Sequence, residues 1–317
     1  MPHSRRAEGG RATQRYILTR LGHVVVVVFL SLTAVFFILR MTGNPAALFV
    51  PMNVSKTSLS QFAHEFGFDR PLWQQYLTFL WQALHGNFGQ SLAYRASAMG
   101  LVLGHLPATA ALAVLSLALS LAISVPLGVW AAMRPDGWLD NLVSLLVIAL
   151  QSMPIFWLGL LLILVFAVDL RLVPPSGREG FSSYILPVVT LSTYTMAAFL
   201  RLTRASMAEA LGQDYIRTAR AKGATPARVL VVHALRNSLI PLVTVVGLNL
   251  ATLLGGAVVT ETIFSWPGLG RLLLNALLNR DFTIVQAGVF FISAVYSVTN
   301  LAVDILYAAI DPRIHYT

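Results

Sequence analysis

The sequence predicts an all-α, polytopic membrane protein with six transmembrane helices. Three observations carry that prediction: the composition, the gathering of apolar residues into bilayer-length runs, and an uneven placement of basic residues. Of 317 residues, 56% are hydrophobic and only 11% are charged, against about 25% charged in a soluble domain. A helix needs roughly 20 apolar residues to cross the hydrocarbon core. Runs of that kind occur at 21–39, 108–133, 139–168, 184–200, 239–264 and 283–310.

The first run holds Val24 to Val28 in succession. Its apolar core exceeds the roughly 7–15 residues of a signal-peptide core, and no small-residue cleavage site follows closely, so a retained anchor is expected. The third run has Pro154 at its middle. Two halves of about 15 residues would each be too short to cross, so one tilted or Pro-kinked span is expected. With six spans and the N-terminus inside, the pieces 1–20, 132–138, 201–238 and 311–317 hold 14 of the 22 Lys and Arg residues. That is the excess the positive-inside rule requires. Splitting the third run would turn the most basic loop outward.

The resulting division is a cytoplasmic tail at 1–20, a first helix at 21–40, an extracytoplasmic loop with short helices at 41–107, a five-helix core at 108–310, and a cytoplasmic tail at 311–317. The multi-pass chain then has both termini in the cytoplasm. In the outer loop, Trp73, Tyr76, Leu77, Leu80, Trp81 and Leu84 recur at three- and four-residue steps after Pro71, the signature of an amphipathic helix. It reads equally as a docking surface for an external partner and as a structural cap.

The loop at 201–238 has its own punctuation. Asp214 is placed to N-cap a helix over Tyr215 to Lys222, with Arg220 and Lys222 suiting the dipole of its last turn. Gly223 is placed to end it. Thr225 is the next N-cap, with Pro226 at the first helical position and a second helix to about Arg236. Two capped helices suit a contact surface; a solvated basic loop beside anionic lipid is the other reading.

Enzyme chemistry finds no support. The chain has no cysteine and two lysines, Lys56 and Lys222, neither in the Gly-rich setting of a phosphate-binding P-loop. His64-Glu65 lacks the second histidine of a zinc-protease helix, and no G-x-S-x-G occurs. Neither a cofactor nor a metal is expected on this chain, and no nucleic acid as partner. The spans carry almost no ionisable groups, which argues against an ion-coupled carrier. The polar residues within them, Gln151, Ser152, Asn249, Thr252 and Asn300, suit helix–helix hydrogen bonds more than substrate contacts, and lining a polar, weakly selective path is the other reading.

The stretch from Glu209 to Gly223, with Gly212, Asp214, Tyr215, Arg217, Thr218, Ala219 and Arg220 between, closely resembles the coupling loop of ABC importer permeases of the dipeptide, oligopeptide and nickel branch. His233 to Pro241 matches as well. Arg217-Thr218-Ala219 and Leu235-Arg236 depart from the looser pattern of importers at large and look like this branch's own variant. Thr42 to Pro45, Phe66 to Pro71, Gly86 to Ser91 and Asp311 to Arg313 extend the resemblance over nearly the whole chain. Glu261 to Arg271, including Phe264, Trp266, Pro267 and Gly268, resembles the branch's outer-loop signature.

The resemblance implies a type I ABC importer permease fold in the bacterial inner membrane, among membrane lipid. It implies a second homologous permease, two ATPase subunits that bind ATP and Mg, and an extracytoplasmic substrate-binding protein. The coupling helix would sit in a groove of an ATPase, and the outer loop would lie near a gate or a binding-protein contact. The solute would be a di- or oligopeptide, with nickel complexes, glutathione or opines as alternatives.

Overall fold

A computed structural model describes residues 3–41, 64, 67, 69–91, 93–133, 137–138, 142, 145, 149, 152–254 and 257–310. The described elements are helical apart from one two-stranded hairpin. In chain order they are α1 (His3–Met41), α2 (Leu72–Leu84), β1 (Gln90–Ser91), β2 (Ala96–Ser97), α3 (Ala98–Met133), α4 (Ile155–Leu162), α5 (Ser182–Gly212), α6 (Asp214–Ala221), α7 (Pro226–Arg228), α8 (Arg236–Leu254), α9 (Val258–Ile263), α10 (Leu269–Leu278) and α11 (Phe282–Ile310). Stretches Ile163–Asp169 and Val229–Leu235 are π-helical and continue α4 and α7.

Among the described residues four helices are long and apolar enough to cross a bilayer: Thr19–Met41, Ala98–Met133, Ser182–Gly212 and Phe282–Ile305. The pair Pro226–Leu239 and Pro241–Leu254, bent by 47°, makes a fifth if taken as one span. The expected third crossing falls partly outside the described residues, including Gln151. Its second half is α4, but Pro154 precedes that helix in an extended conformation (ψ 134). The chain therefore starts a new helix after Pro154 and does not kink through it. The expected fifth crossing, 239–264, is also redrawn. Its helix begins at Pro226 and ends at Leu254, and α9 is separate. The fourth runs on to Gly212, because nothing before that residue breaks it.

The chain forms two compact units, residues 1–107 with 268–298, and residues 108–267 with the chain after 298. In the first, Leu32, Val35, Phe36 and Leu39 of α1 recur at helical spacing and are buried with Phe79 and Ala83 of α2. Phe36 stacks on Phe79 with centroids 5.4 Å apart, and Thr33 Oγ1 shares a 2.7 Å hydrogen bond with the Tyr76 hydroxyl. The hairpin is antiparallel, pairing Gln90 with Ser97 and Ser91 with Ala96. Ser91 Oγ donates to buried Asp281, whose other oxygen accepts from Thr283 Oγ1 (2.7 Å) and from Ile284 N (3.3 Å). Asp281 thus caps α11 and ties the hairpin to it.

The amphipathic face expected of α2 is divided. Phe79 and Ala83 are buried with Tyr76 and Leu80 beside them, whereas Trp73, Leu77, Trp81 and Leu84 are exposed. The helix has two apolar sides, and packing against α1 uses only one.

In the second unit Ser116, Ser120, Ser124 and Gly128 of α3 lie four residues apart, and the three serines are buried. Small residues at this spacing let helix backbones approach closely. Thr195 Oγ1 of α5 donates to Ser120 Oγ (2.9 Å) and Ser124 Oγ donates to the Met196 carbonyl (2.8 Å). A Cβ on Gly128 would lie 2.8 Å from Thr203 Cβ and 3.0 Å from the Leu200 carbonyl oxygen. Gly128→Ala should therefore separate α3 from α5 and cost about 1–3 kcal/mol, as overpacking does. A lower thermal unfolding midpoint in detergent would register it, and an unchanged midpoint would contradict this packing.

Candidate functional site

The site begins with α6, eight residues held between two chain reversals. Gln213 is extended (φ −76, ψ 151) and occupies the N-cap position without a side-chain cap bond. Asp214 is therefore the first helical residue and not the cap, with its carboxylate in the first turn where the helix dipole favours it. The C-terminal end follows the sequence expectation. Gly223 has φ +81, its N–H donates to the Arg220 carbonyl (3.0 Å), and the Ala224 N–H donates to the Ala219 carbonyl (3.1 Å). This paired closure is the Schellman motif, and it needs the left-handed residue that glycine supplies. Thr225 N-caps α7, its hydroxyl accepting from Arg228 N at 3.4 Å, with Pro226 next. The second helix does not stop near Arg236 as expected but continues through the π-helical stretch into α8.

What fixes α6 is Ile216, fully buried against Met207 and Ala210 of α5, Val229 and Ala234. Ala219 is half-buried one turn on. The rest of the helix faces outward: Asp214, Tyr215, Arg217, Thr218 and Arg220 are exposed, as are Glu209 and Gly212 at the end of α5. Arg217 and Asp214 approach to 3.6 Å with both side chains almost fully exposed, a pairing that contributes little in water. Thr218 Oγ1 donates to the Asp214 carbonyl (3.0 Å). Beside α6 lies a cavity of about 510 Å³ whose apolar lining includes Met133, Leu211, Pro226 and Leu230, with Arg220 at its edge.

Sequence reasoning missed Ile216. The signal was present, because it is the single large aliphatic residue in an otherwise polar, eight-residue helix.

The second group of expected site residues is differently placed. Glu261, Phe264 and Trp266 are buried. Glu261 accepts from Thr109 Oγ1 (2.6 Å), Trp266 Nε1 donates to the Ala108 carbonyl (3.0 Å), and the Trp266 N–H donates to the Glu261 carbonyl (2.7 Å). The Arg178 guanidinium carbon lies 5.7 Å from the Trp266 ring centroid. Pro267 is exposed, and Gly268 stands at the N-cap of α10. The segment is anchored to Ala108 and Thr109 within α3, and of its five named residues only Pro267 is left at the surface.

Asn249 and Thr252 bond carbonyls of their own helix, Val245 and Leu248. Among the described residues no three His, Asp or Glu side chains come together as a metal site would require.

Long apolar helices define a membrane protein, and a short helix pinned by Ile216 presents polar side chains outward from it. The family model described as "Binding-protein-dependent transport system inner membrane component" matches residues 124–316, and the model for the N-terminal part of such components matches 13–113. The dipeptide transport system permease DppB of Escherichia coli K12 is 38% identical over 95% of this chain and 99% of its own. The di/tripeptide permease DppB of Pseudomonas aeruginosa is 38% identical over 95% and 98%. The glutathione permease GsiC of Escherichia coli K12 is 36% identical over 95% and 99%. A solved structure of the MetNI methionine ABC transporter, inward facing, has a TM-score of 0.53 at 20% identity, covering 67% of this chain and 97% of that one, and it shares the fold. The chain belongs to the family of inner-membrane components of binding-protein-dependent transport systems. It is a multi-pass permease subunit of an ABC importer, not itself an enzyme, and works within a transporter complex.

Ile216→Ala removes the one large side chain holding α6 down, where truncating a buried isoleucine costs about 2–5 kcal/mol. The expected result is faster hydrogen exchange confined to 213–224, with the remaining helices unchanged. Exchange that stays as slow as in the wild type would show that Ile216 does not anchor the helix.

Proposed function

We propose that this chain is one half of the membrane pore of an ATP-driven importer of di- or oligopeptides. A second homologous permease would complete the pore, two ATPase subunits would carry ATP and Mg, and an extracytoplasmic binding protein would deliver the solute. The observation that carries the ATP-driven reading is α6. It is capped at its C-terminal end, pinned by Ile216, and presents polar and basic side chains outward. A helix so held transmits a push from a partner, where a flexible linker would absorb it. Closure of the ATPases would move α6, and with it α5 and α8, to which its two ends connect.

In this reading α6 and both chain termini lie in the cytoplasm. Arg217, Arg220, Lys222, Arg228 and Arg236 are all exposed around it, and that cluster suits the cytoplasmic side. The outer-loop segment Glu261 to Gly268 would act near the gate as a buried brace, leaving contact with the binding protein to exposed neighbours such as Pro267. The peptide solute is inferred from the dipeptide permeases at 38% identity. Glutathione is the second reading, favoured by the relative at 36%.

Uptake of labelled dipeptides by cells with and without the gene, with ATP depletion as control, tests the solute. Loss of ATP-dependent uptake on deletion is expected; unchanged uptake with loss of glutathione uptake would favour the second reading.

Gly223→Val places a β-branched residue at φ +81 without any steric clash around it, so its effect is backbone strain alone. Transport should fall at least tenfold, whereas Gly223→Asn, which tolerates this conformation, should retain most of it. Wild-type transport in the valine variant would refute the placement of this turn. Single cysteines from 212 to 224, crosslinked in the assembled transporter, should give ATPase adducts at Tyr215, Arg217 or Arg220 and none at buried Ile216. A scan without any ATPase adduct would exclude α6 as the coupling helix.

A further inference from the structure

The first unit holds a cavity of about 360 Å³ that the transport reading does not use. It lies within the size range of small-molecule sites. Two guanidinium groups line it, Arg40 from the end of α1 and Arg70 from the segment before α2, together with Gln82, Gln90 and Gln286. Among the described residues no carboxylate lines it. The nearest acid in sequence, Asp69, is bonded to His64 Nδ1 at 2.7 Å.

The backbone of Arg70 is tied to α2. Gln75 Nε2 donates to its carbonyl (2.7 Å). Gly67 (φ +67) lets its side chain lie close, since a Cβ there would sit 3.3 Å from Arg70 Nε. A cation beside side-chain amides that donate and accept matches a carboxylate joined to an amide.

The cavity lies on the polar side of α2. On α2, Gln75, Thr78 and Gln82 line it, while Trp73, Leu77 and Trp81 are exposed on a side about 130° away around the helix. The exposed tryptophans and leucine suit the membrane interface, which turns the polar side away from the lipid.

We infer that this cavity binds the free carboxylate of a small, amide-containing solute, with Arg70 as the principal contact. The test uses the full chain in phosphatidylcholine nanodiscs, titrated calorimetrically with N-acetylalanine, N-acetylalanine amide and inorganic phosphate. These probes leave the inference independent of whether the transporter carries peptides. N-acetylalanine should bind at one site and its amide at least tenfold more weakly. Arg70→Gln should weaken the acid at least tenfold. Gln82→Leu, an exposed change that fills part of the cavity with apolar bulk, should weaken it as well while the chain elutes as a folded species.

Equal binding of acid and amide, or undiminished binding by both variants, would overturn the inference. Tighter binding of phosphate, or displacement of N-acetylalanine when phosphatidylglycerol is added to the nanodisc, would reassign the site to a phosphate or a lipid headgroup and overturn the carboxylate assignment.

Discussion

The second unit depends on the close approach of α3 and α5. Lipid offers no hydrophobic gain for joining two apolar helices, so association rests on contact and on hydrogen bonds. Ser116, Ser120, Ser124 and Gly128 supply a face with little side-chain bulk, and α5 lies along it. The bonds from Thr195 to Ser120 and from Ser124 to the Met196 carbonyl fix the register. A helix of 31 residues, about 46 Å long, is thereby held against α3 and carries α6 at its end.

The join between α5 and α6 concentrates that rigidity at a small place. An eight-residue helix is too short to be stable alone. It persists because Ile216 enters an apolar socket formed by both flanking elements and because Gly223 reverses the chain with two backbone hydrogen bonds. The same arrangement leaves every charged side chain of α6 in solvent. Mechanical fixation and chemical availability are served by opposite faces of two turns of helix, as the coupling role proposed for α6 requires.

The first unit is organised by aromatic packing and one buried acid. Phe36, Tyr76 and Phe79 join α1 to α2, and Phe88 meets Phe290 at 5.1 Å. Asp281 satisfies the start of α11 while holding Ser91 of the hairpin. These contacts bring residues from three distant stretches, near 40, near 70–90 and near 286, to one polar cavity. None of the three announces a site by itself.

The membrane class, the helical content and the turn at Gly223 were legible in the sequence, because each is set locally. Apolar run length decides whether a segment enters lipid, and a cap is decided within about four residues. Thr225 with Pro226 is such a signal, and so is the residue sequence from Glu209 to Gly223. Asp214 was misassigned by one position because the cap depends on where Gln213 turns extended, which several polar residues there would permit. Tertiary structure decided the rest. It chose which apolar side of α2 is buried, since Trp73 and Phe79 are equally apolar until α1 is in place. It buried Glu261 and Trp266 by pairing them with Thr109 and Ala108, over 150 residues away in the chain. It made Ile216 an anchor, and it assembled Arg40, Arg70 and Gln286 around one space. The physical reason is common to all of these: a side chain's burial and partners are set by what folds against it, and linear order does not contain that.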